Sequence, residues 1–106
     1  MVKKTYTIRN PNGLDCVASA LIVSVSNKFK SNISVSYKNL KADAKSLFSL
    51  MRLEAGKGSS VTVIVSGIDE EQAIDKLEWA FSLELEDEIK NASVNEYDAD
   101  EDSTKW

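Results

Sequence analysis

The 106-residue sequence contains no histidine and only one cysteine, Cys16. Without imidazole there is no general base for a Ser-His or Cys-His nucleophile, and no side chain that can carry a phosphohistidine. A single cysteine cannot form an internal disulfide, and without histidine it cannot complete a usual zinc site. We therefore expect no metal and no cofactor, and the scarcity of cysteine favours a reducing, cytoplasmic location.

Long apolar runs are also missing, since no stretch of about 18 apolar residues occurs. The first ten residues, MVKKTYTIRN, contain two lysines but no apolar segment after them, so we expect neither a membrane span nor a secretory signal. A chain of this length, with 42% apolar residues, suits one small domain with a limited core.

Charge is unevenly distributed along the chain. Residues 1–83 hold eleven Lys and Arg against eight Asp and Glu, whereas residues 84–106 hold two against nine. Lysines scattered over a mildly basic body are a weak signal for nucleic-acid binding. We therefore expect protein partners, with no direct contact to nucleic acid or membrane.

Four segments alternate apolar and polar side chains as half-buried strands do: residues 2–8, 32–37, 40–44 and 61–67. The first has an exception, because Lys4 falls among the apolar positions Val2 and Tyr6. The two residues Lys38-Asn39 are short enough to join the second and third segments as a hairpin.

Residues 16–29 (CVASALIVSVSNKF) contain many β-branched side chains, yet their length and start signal favour a helix. An apolar stripe is predicted at a four-residue spacing, Val17, Leu21, Val25 and Phe29, with Ala18 and Ile22 beside it. Residues 47–53 (LFSLMRL) predict one or two helical turns with Ser46 as N-cap.

The last helix is predicted to open at Asp69, with Gln72 at the spacing of a capping box. Its apolar face follows the periods i, i+3, i+4, i+7 and i+8: Ala73, Ile74, Leu77, Ala80 and Phe81.

This order of elements predicts an α+β fold. We expect an open-faced β-sandwich, in which a four-stranded antiparallel sheet carries three helices on one face (βαββαβα). The domain is placed at residues 1–85. Residues 86–106 are acidic and poor in apolar side chains, so we expect a disordered C-terminal tail.

Two short motifs are more specific than this pattern. NPNGLDCVAS, residues 10–19, leads from a turn into the first helix, and AKSLFSLM, residues 44–51, begins the second. Together with the element order, they resemble the HPr phosphocarriers of the bacterial sugar phosphotransferase system, over about residues 1–85. In that family the first motif reads roughly N-x-x-G-L-H-x-R-P-A, where the histidine accepts a phosphoryl group and the arginine helps to hold it.

The first motif departs from the family at the residues that carry the chemistry. Asp15 replaces the phosphoacceptor histidine, Val17 replaces the arginine and Ala18 replaces the proline. Asp15 would also place its own negative charge where a helix N-terminus favours phosphate. The resemblance therefore implies no phosphocarrier activity and no catalytic residue, and Crh, a regulatory paralogue that also lacks the histidine, is the nearest functional model.

Asp15 and Cys16 each have two interpretations. Asp15 is a favourable N-cap, of a type that typically stabilises a helix by about 1 kcal/mol over Ala, or an acceptor forming an aspartyl phosphate. The sequence shows no obvious metal-binding acids to assist the second role. Cys16 is a small residue at a helix start, or a redox-sensitive thiol that the helix favours and Asp15 disfavours.

The second motif is better preserved. In kinase-regulated members of the family, an ATP-dependent HPr kinase/phosphorylase modifies the serine that Ser46 matches. The resemblance implies that Leu47, Phe48 and Met51 form the apolar patch that meets this kinase and the transcription regulator CcpA; one helical turn apart, they share a face. From the residues alone, the favoured interpretation is that Ser46 is a plain N-cap and that the other three are core residues. Ser49 replaces a family glycine.

Three functional hypotheses follow. The first is a non-catalytic, Crh-like regulatory adaptor in carbon catabolite control, switched by phosphorylation at Ser46. The second is a phosphorylation-independent interaction module on the same fold, with the acidic segment and its Tyr97 and Trp106 as binding element. An enzyme is disfavoured, because a nucleophile without a partnering base is weakly activated.

Overall fold

The computed structural model describes residues 1–83, in which four strands and three helices follow one another in the predicted order, βαββαβα. The strands are β1 (Val2–Thr7), β2 (Asn32–Tyr37), β3 (Leu40–Asp43) and β4 (Ser60–Ser66). The helices are α1 (Cys16–Ser26), α2 (Leu47–Met51) and α3 (Glu70–Ser82). The tail expected at residues 86–106, with Tyr97 and Trp106, lies outside the described residues.

The strands form one antiparallel sheet in the order β1-β4-β2-β3. Val61, Val63 and Val65 of β4 are fully buried, while Thr62 and Ile64 between them lie on the open face. The helices cover the valine side: α3 contacts β1 and β4, α2 contacts β3, and α1 contacts both other helices. The predicted α+β open-faced sandwich is confirmed.

The core fills the space between the sheet and the helices. Its largest fully buried apolar side chains come from both layers: Val35, Leu50, Val61, Val63, Val65, Ile74 and Leu77. The predicted apolar face of the last helix is buried throughout. In the described part of the chain, no helix is both long enough and apolar enough to cross a bilayer.

The exception at Lys4 has a local explanation. Lys4 pairs with Val63 across β1 and β4, so it shares the helix-facing side with Val2 and Tyr6. Because β1 is an edge strand, the side chain reaches past the sheet, and its Nζ lies 3.7 Å from Glu78 of α3. Both groups are solvent-exposed, so the ion pair contributes little to the stability of the fold. The lysine is accommodated on this side because its charged end reaches solvent.

Tyr6 packs at the same seam between β1 and α3. Its ring stacks on Phe81 with centroids 5.4 Å apart, and its hydroxyl lies 3.5 Å from the Ile74 carbonyl oxygen. Burial, followed by the nearby charges of Glu78 and Asp75, raises the pKa of Tyr6 to about 12. The phenol is therefore neutral across the physiological range and acts as a packing residue.

The predicted stripe of α1 is wrong in part. The helix ends at Ser26, so Phe29 lies beyond it, and Val17 is 42% exposed. Ala18, Ile22 and Val25 are buried as predicted, and Ser19 and Ser26 complete the buried side. α1 has no charged residue to mark a solvent face, so the spacing of its apolar residues did not distinguish the buried side from the exposed one.

The capping box predicted at Asp69 and Gln72 is also wrong. The carboxylate of Asp69 makes no cap to its own helix. It accepts the backbone N–H groups of Lys30 and Ser31 at 2.8 and 3.0 Å, and the Ser31 hydroxyl at 2.5 Å. Asp69 thus fastens the start of α3 to the loop between α1 and β2.

These contacts favour the ionised carboxylate. Hydrogen bonding from the Ser31 hydroxyl, and then from the Lys30 N–H, holds the pKa of Asp69 below its ordinary value. Its contribution to folding is therefore complete above the unfolded pKa of about 3.9 and is lost as the pH falls through the folded pKa.

Asp69→Asn should lower the free energy of unfolding at neutral pH, because the amide accepts these three donors less strongly. The difference from the native chain should shrink as the pH falls below about 4, where Asp69 of the unfolded chain is protonated first, and should vanish once the pH passes below the lower pKa of the folded state. Urea unfolding between pH 7 and pH 2 measures this, with the exposed Glu71→Gln as control. A difference in stability that is independent of pH would show that the charge on Asp69 does not strengthen its hydrogen bonds to Lys30 and Ser31.

Candidate functional site

The turn before α1 is fixed by the loop that follows α2. Gly13 has φ +68°, and an added Cβ would collide with the Ala55 carbonyl oxygen, so glycine is required here. The Leu14 N–H donates to that same oxygen at 2.9 Å, and the buried Asn10 side chain donates to the Gly13 carbonyl at 2.8 Å. The turn therefore sets where α1 begins.

Asp15 is the N-cap of α1, as predicted. Its backbone is extended, with φ −79° and ψ −172°, and its Oδ1 accepts the Ala18 N–H at 2.9 Å. The Asp15 carbonyl accepts the Ser19 N–H at 2.9 Å. The carboxylate thus already occupies a free N–H at the helix N-terminus, the position where a phosphate group would otherwise bind.

The helix that Asp15 caps adds no positive charge beside it. Cys16 and Val17 are both exposed, and no residue from Cys16 to Ser26 is charged. Within residues 1–83, acidic and cysteine side chains nowhere gather in threes as metal ligands. An aspartyl phosphate at Asp15 therefore gains no supporting charge from α1 and no cluster of metal-binding side chains within residues 1–83.

Ser46 is the N-cap of α2, also as predicted. Its hydroxyl accepts the Ser49 N–H at 3.4 Å, and Ser46 is partly exposed. Ser49 replaces the family glycine. Its hydroxyl accepts the Asp43 N–H at 3.2 Å. The Asp43 carboxylate in turn accepts the Lys45 N–H at 2.9 Å. These bonds join the end of β3 to the first turn of α2.

Lys45 fastens the same segment to the rest of the molecule. Its Nζ donates to the Phe29 carbonyl oxygen at 2.8 Å, just beyond the end of α1. The residue preceding Ser46 is therefore held by both its backbone and its side chain, and Ser46 has a fixed position on the surface.

The apolar residues of α2 divide between core and surface. Leu50 is fully buried, whereas Phe48 is 74% exposed and Leu47 and Met51 are partly buried. The alternative that all three predicted patch residues are core therefore fails for Phe48. Sequence reasoning did not single out Leu50; its spacing of three residues from the buried Leu53 was the available signal.

The chain resembles known proteins over most of its length. A family model described as "PTS HPr component phosphorylation site" matches residues 2–82. The HPr-like protein Crh of Halalkalibacterium halodurans is 38% identical over 77 residues, which cover 73% of this chain and 92% of the relative. The phosphocarrier protein HPr of Treponema pallidum is 34% identical over 88 residues, covering 83% of this chain and all of the relative.

The fold agrees with these relatives. A crystal structure of phosphocarrier protein HPr from Bacillus anthracis superposes with a TM-score of 0.73 at 31% identity. The superposition covers 76% of this chain and 96% of that protein. Sequence and backbone therefore point to the same family.

Asp15→Ala should destabilise the chain by about 1 kcal/mol, because the Ala18 N–H loses its acceptor. Asp15→Ser, which keeps a capping oxygen, should retain most of the stability. Urea unfolding at neutral pH measures both. Equal stability of the Ala and Ser variants would show that the contact with Ala18 does not stabilise the helix.

Proposed function

The chain belongs to the HPr family, and from this premise we propose that it is a Crh-like regulatory adaptor that cannot carry phosphohistidine. Phosphorylation at Ser46 would switch its affinity for protein partners in carbon catabolite control. The function is non-catalytic and cytoplasmic. Its partners are an HPr kinase/phosphorylase and a CcpA-like transcription regulator.

The bond between the Asp15 carboxylate and the Ala18 N–H is the observation that carries this proposal. Where the family's relay requires a group that gains and loses a phosphoryl group, this chain has a side chain already bound to the helix terminus. Val17 supplies no cation to hold an incoming phosphoryl group. We therefore infer that this position has no relay function and that regulation acts through other residues.

Ser46 has the properties of an acceptor. Its hydroxyl is partly exposed and makes one long hydrogen bond, at 3.4 Å, which a phosphate oxygen on the same side chain can replace. A dianionic group at the first turn of a helix is favoured by the exposed N–H groups there. Phosphorylation would thus add charge beside the patch without requiring α2 to unfold.

The docking patch consists of Leu47, Phe48 and Met51. Phe48 projects most of its ring into solvent, and a large exposed aromatic side chain is a common anchor in protein interfaces. Leu47 and Met51 are partly buried, so they support the ring from the helix surface. Charge placed at Ser46 would alter this apolar surface directly.

A phosphorylation-independent interaction module is the second candidate. The uncharged surface of α1 favours it, because Val17 exposes 42% of its surface where the family has an arginine. Such a surface can bind an apolar partner without any modification.

Incubation with ATP and HPr kinase/phosphorylase should add one phosphoryl group to the chain, and Ser46→Ala should abolish the addition. Incubation with phosphoenolpyruvate and the phosphotransferase enzyme should add none, because Asp15 replaces the acceptor. Intact-mass spectrometry measures both reactions.

Ser49→Ala serves as the matched control, since it removes a neighbouring hydroxyl of α2. Its phosphorylation by ATP should persist. Addition that survives Ser46→Ala would place the acceptor elsewhere, and no addition in either reaction would leave the interaction module as the better function.

Phe48→Ala should weaken binding to the kinase or the regulator by roughly 30-fold, the effect of losing an interface anchor worth about 2 kcal/mol. Folding stability should change little, because the ring is mostly exposed. Leu40→Ala removes a 53% exposed apolar side chain from β3 and is the control. Equal losses of affinity in both variants, measured by calorimetry, would refute the patch.

A further inference from the structure

The outer edge of β1 is open within residues 1–83, because β1 pairs only with β4 in the sheet. The Ile8 N–H donates to the Ser59 carbonyl at 2.8 Å, so the backbone groups of Ile8 point toward β4. The bonds of an antiparallel strand alternate from one edge to the other. The N–H and C=O groups of Lys3, Thr5 and Thr7 therefore point away from β4 and form an edge to which another strand can pair.

The opposite edge of the sheet is shorter and partly capped. β3 has four residues, whereas β1 has six. The Ala44 N–H donates to the Ile33 carbonyl of β2 at 3.0 Å, so the neighbouring Asp43 N–H points outward. The Ser49 hydroxyl of α2 accepts this outward N–H at 3.2 Å. β1 is therefore the longer and more open of the two edges.

Lys4 distinguishes β1 from an ordinary amphipathic edge strand. Its side chain lies on the helix-facing side of the sheet, whereas the side chain of Lys3 lies on the open side. Lys4 keeps 43% of its side chain exposed, and its Nζ lies 3.7 Å from Glu78. A strand added beyond β1 would place its own side chains directly beside Lys4 and remove part of this exposure.

A second copy of β1 can meet this edge in two registers of greatest overlap. Outward-pointing residues have to oppose each other, and the helices of both copies have to lie on the same side. If Lys3 opposes Thr5 of the second copy, the two Lys4 side chains lie directly opposite each other. If the two Thr5 residues oppose each other, each Lys4 lies against the half-buried Tyr6 of the other copy. The first register opposes like charges, and the second withdraws an ammonium group from water.

We propose that Lys4 prevents the open edge of β1 from pairing with a second copy of this chain. A charged side chain on the inward face of an edge strand is a known way to block edge-to-edge pairing. The ion pair of Lys4 with Glu78 is exposed and contributes little to folding, so the charge has more effect on association than on stability. This inference is independent of phosphorylation at Ser46.

Lys4→Val should convert the chain into a dimer, because it removes the charge and leaves the outward backbone groups in place. Sedimentation velocity over a concentration series should give a dimer at least roughly tenfold tighter than any formed by the native chain. Amide hydrogen exchange of this variant should show new, concentration-dependent protection at Lys3, Thr5 and Thr7.

Lys3→Val is the matched control, since it removes the same charge from the same strand but on the open face. It should sediment as the native chain does. Adding Thr5→Pro to Lys4→Val should restore the native behaviour, because proline removes an outward N–H and leaves the bonds to β4 intact. Circular dichroism checks that each variant is folded.

Equal dimerisation of the Lys3 and Lys4 variants would reduce the effect to net charge or strand propensity and overturn the proposal. So would a Lys4→Val variant that associates no more tightly than the native chain. A dimer in which the amides of Lys3, Thr5 and Thr7 stay unprotected would place the contact elsewhere and also contradict it. Protection of these amides in the native chain by a second copy would show that Lys4 does not block the edge.

Discussion

The close approach of Gly13 to Ala55 is the constraint on which both candidate regions depend. Gly13 leaves no room for a side chain, so the turn before α1 rests on the loop after α2, and the Leu14 N–H bonds to the Ala55 carbonyl at 2.9 Å. This contact fixes the first residue of α1 and thereby the direction of the Asp15 carboxylate. It also ties the loop after α2 to the start of α1.

The two helix starts use the same capping geometry with different chemistry. Asp15 caps α1 with a carboxylate, whereas Ser46 caps α2 with a hydroxyl. A carboxylate at such a position accepts a hydrogen bond from a free backbone N–H of the helix. A hydroxyl accepts the same hydrogen bond, and its oxygen can also be phosphorylated. The physical difference between the two sites is thus the presence or absence of fixed charge, on otherwise similar backbone.

Most of the fold was predictable because strands with one buried face alternate regularly, as β4 does, and because α3 has a clear apolar side. The N-caps Asp15 and Ser46 were predictable for a similar reason, since capping is local in sequence. Asp69 was misassigned because its partners, Lys30 and Ser31, lie 39 and 38 residues away, and no local pattern contains that information.

The capping aspartate also limits the number of phosphorylation states that this domain can adopt. A relay site has two states, phosphorylated and free, and a second modifiable site makes four combinations. In the function we propose, Asp15 leaves the first site with one state, so the relay would not phosphorylate this molecule at that position. Phosphorylation at another residue would then be independent of the flux of phosphoryl groups through related carriers in the same cell. A single aspartate can in this way separate a regulatory signal from a metabolic one.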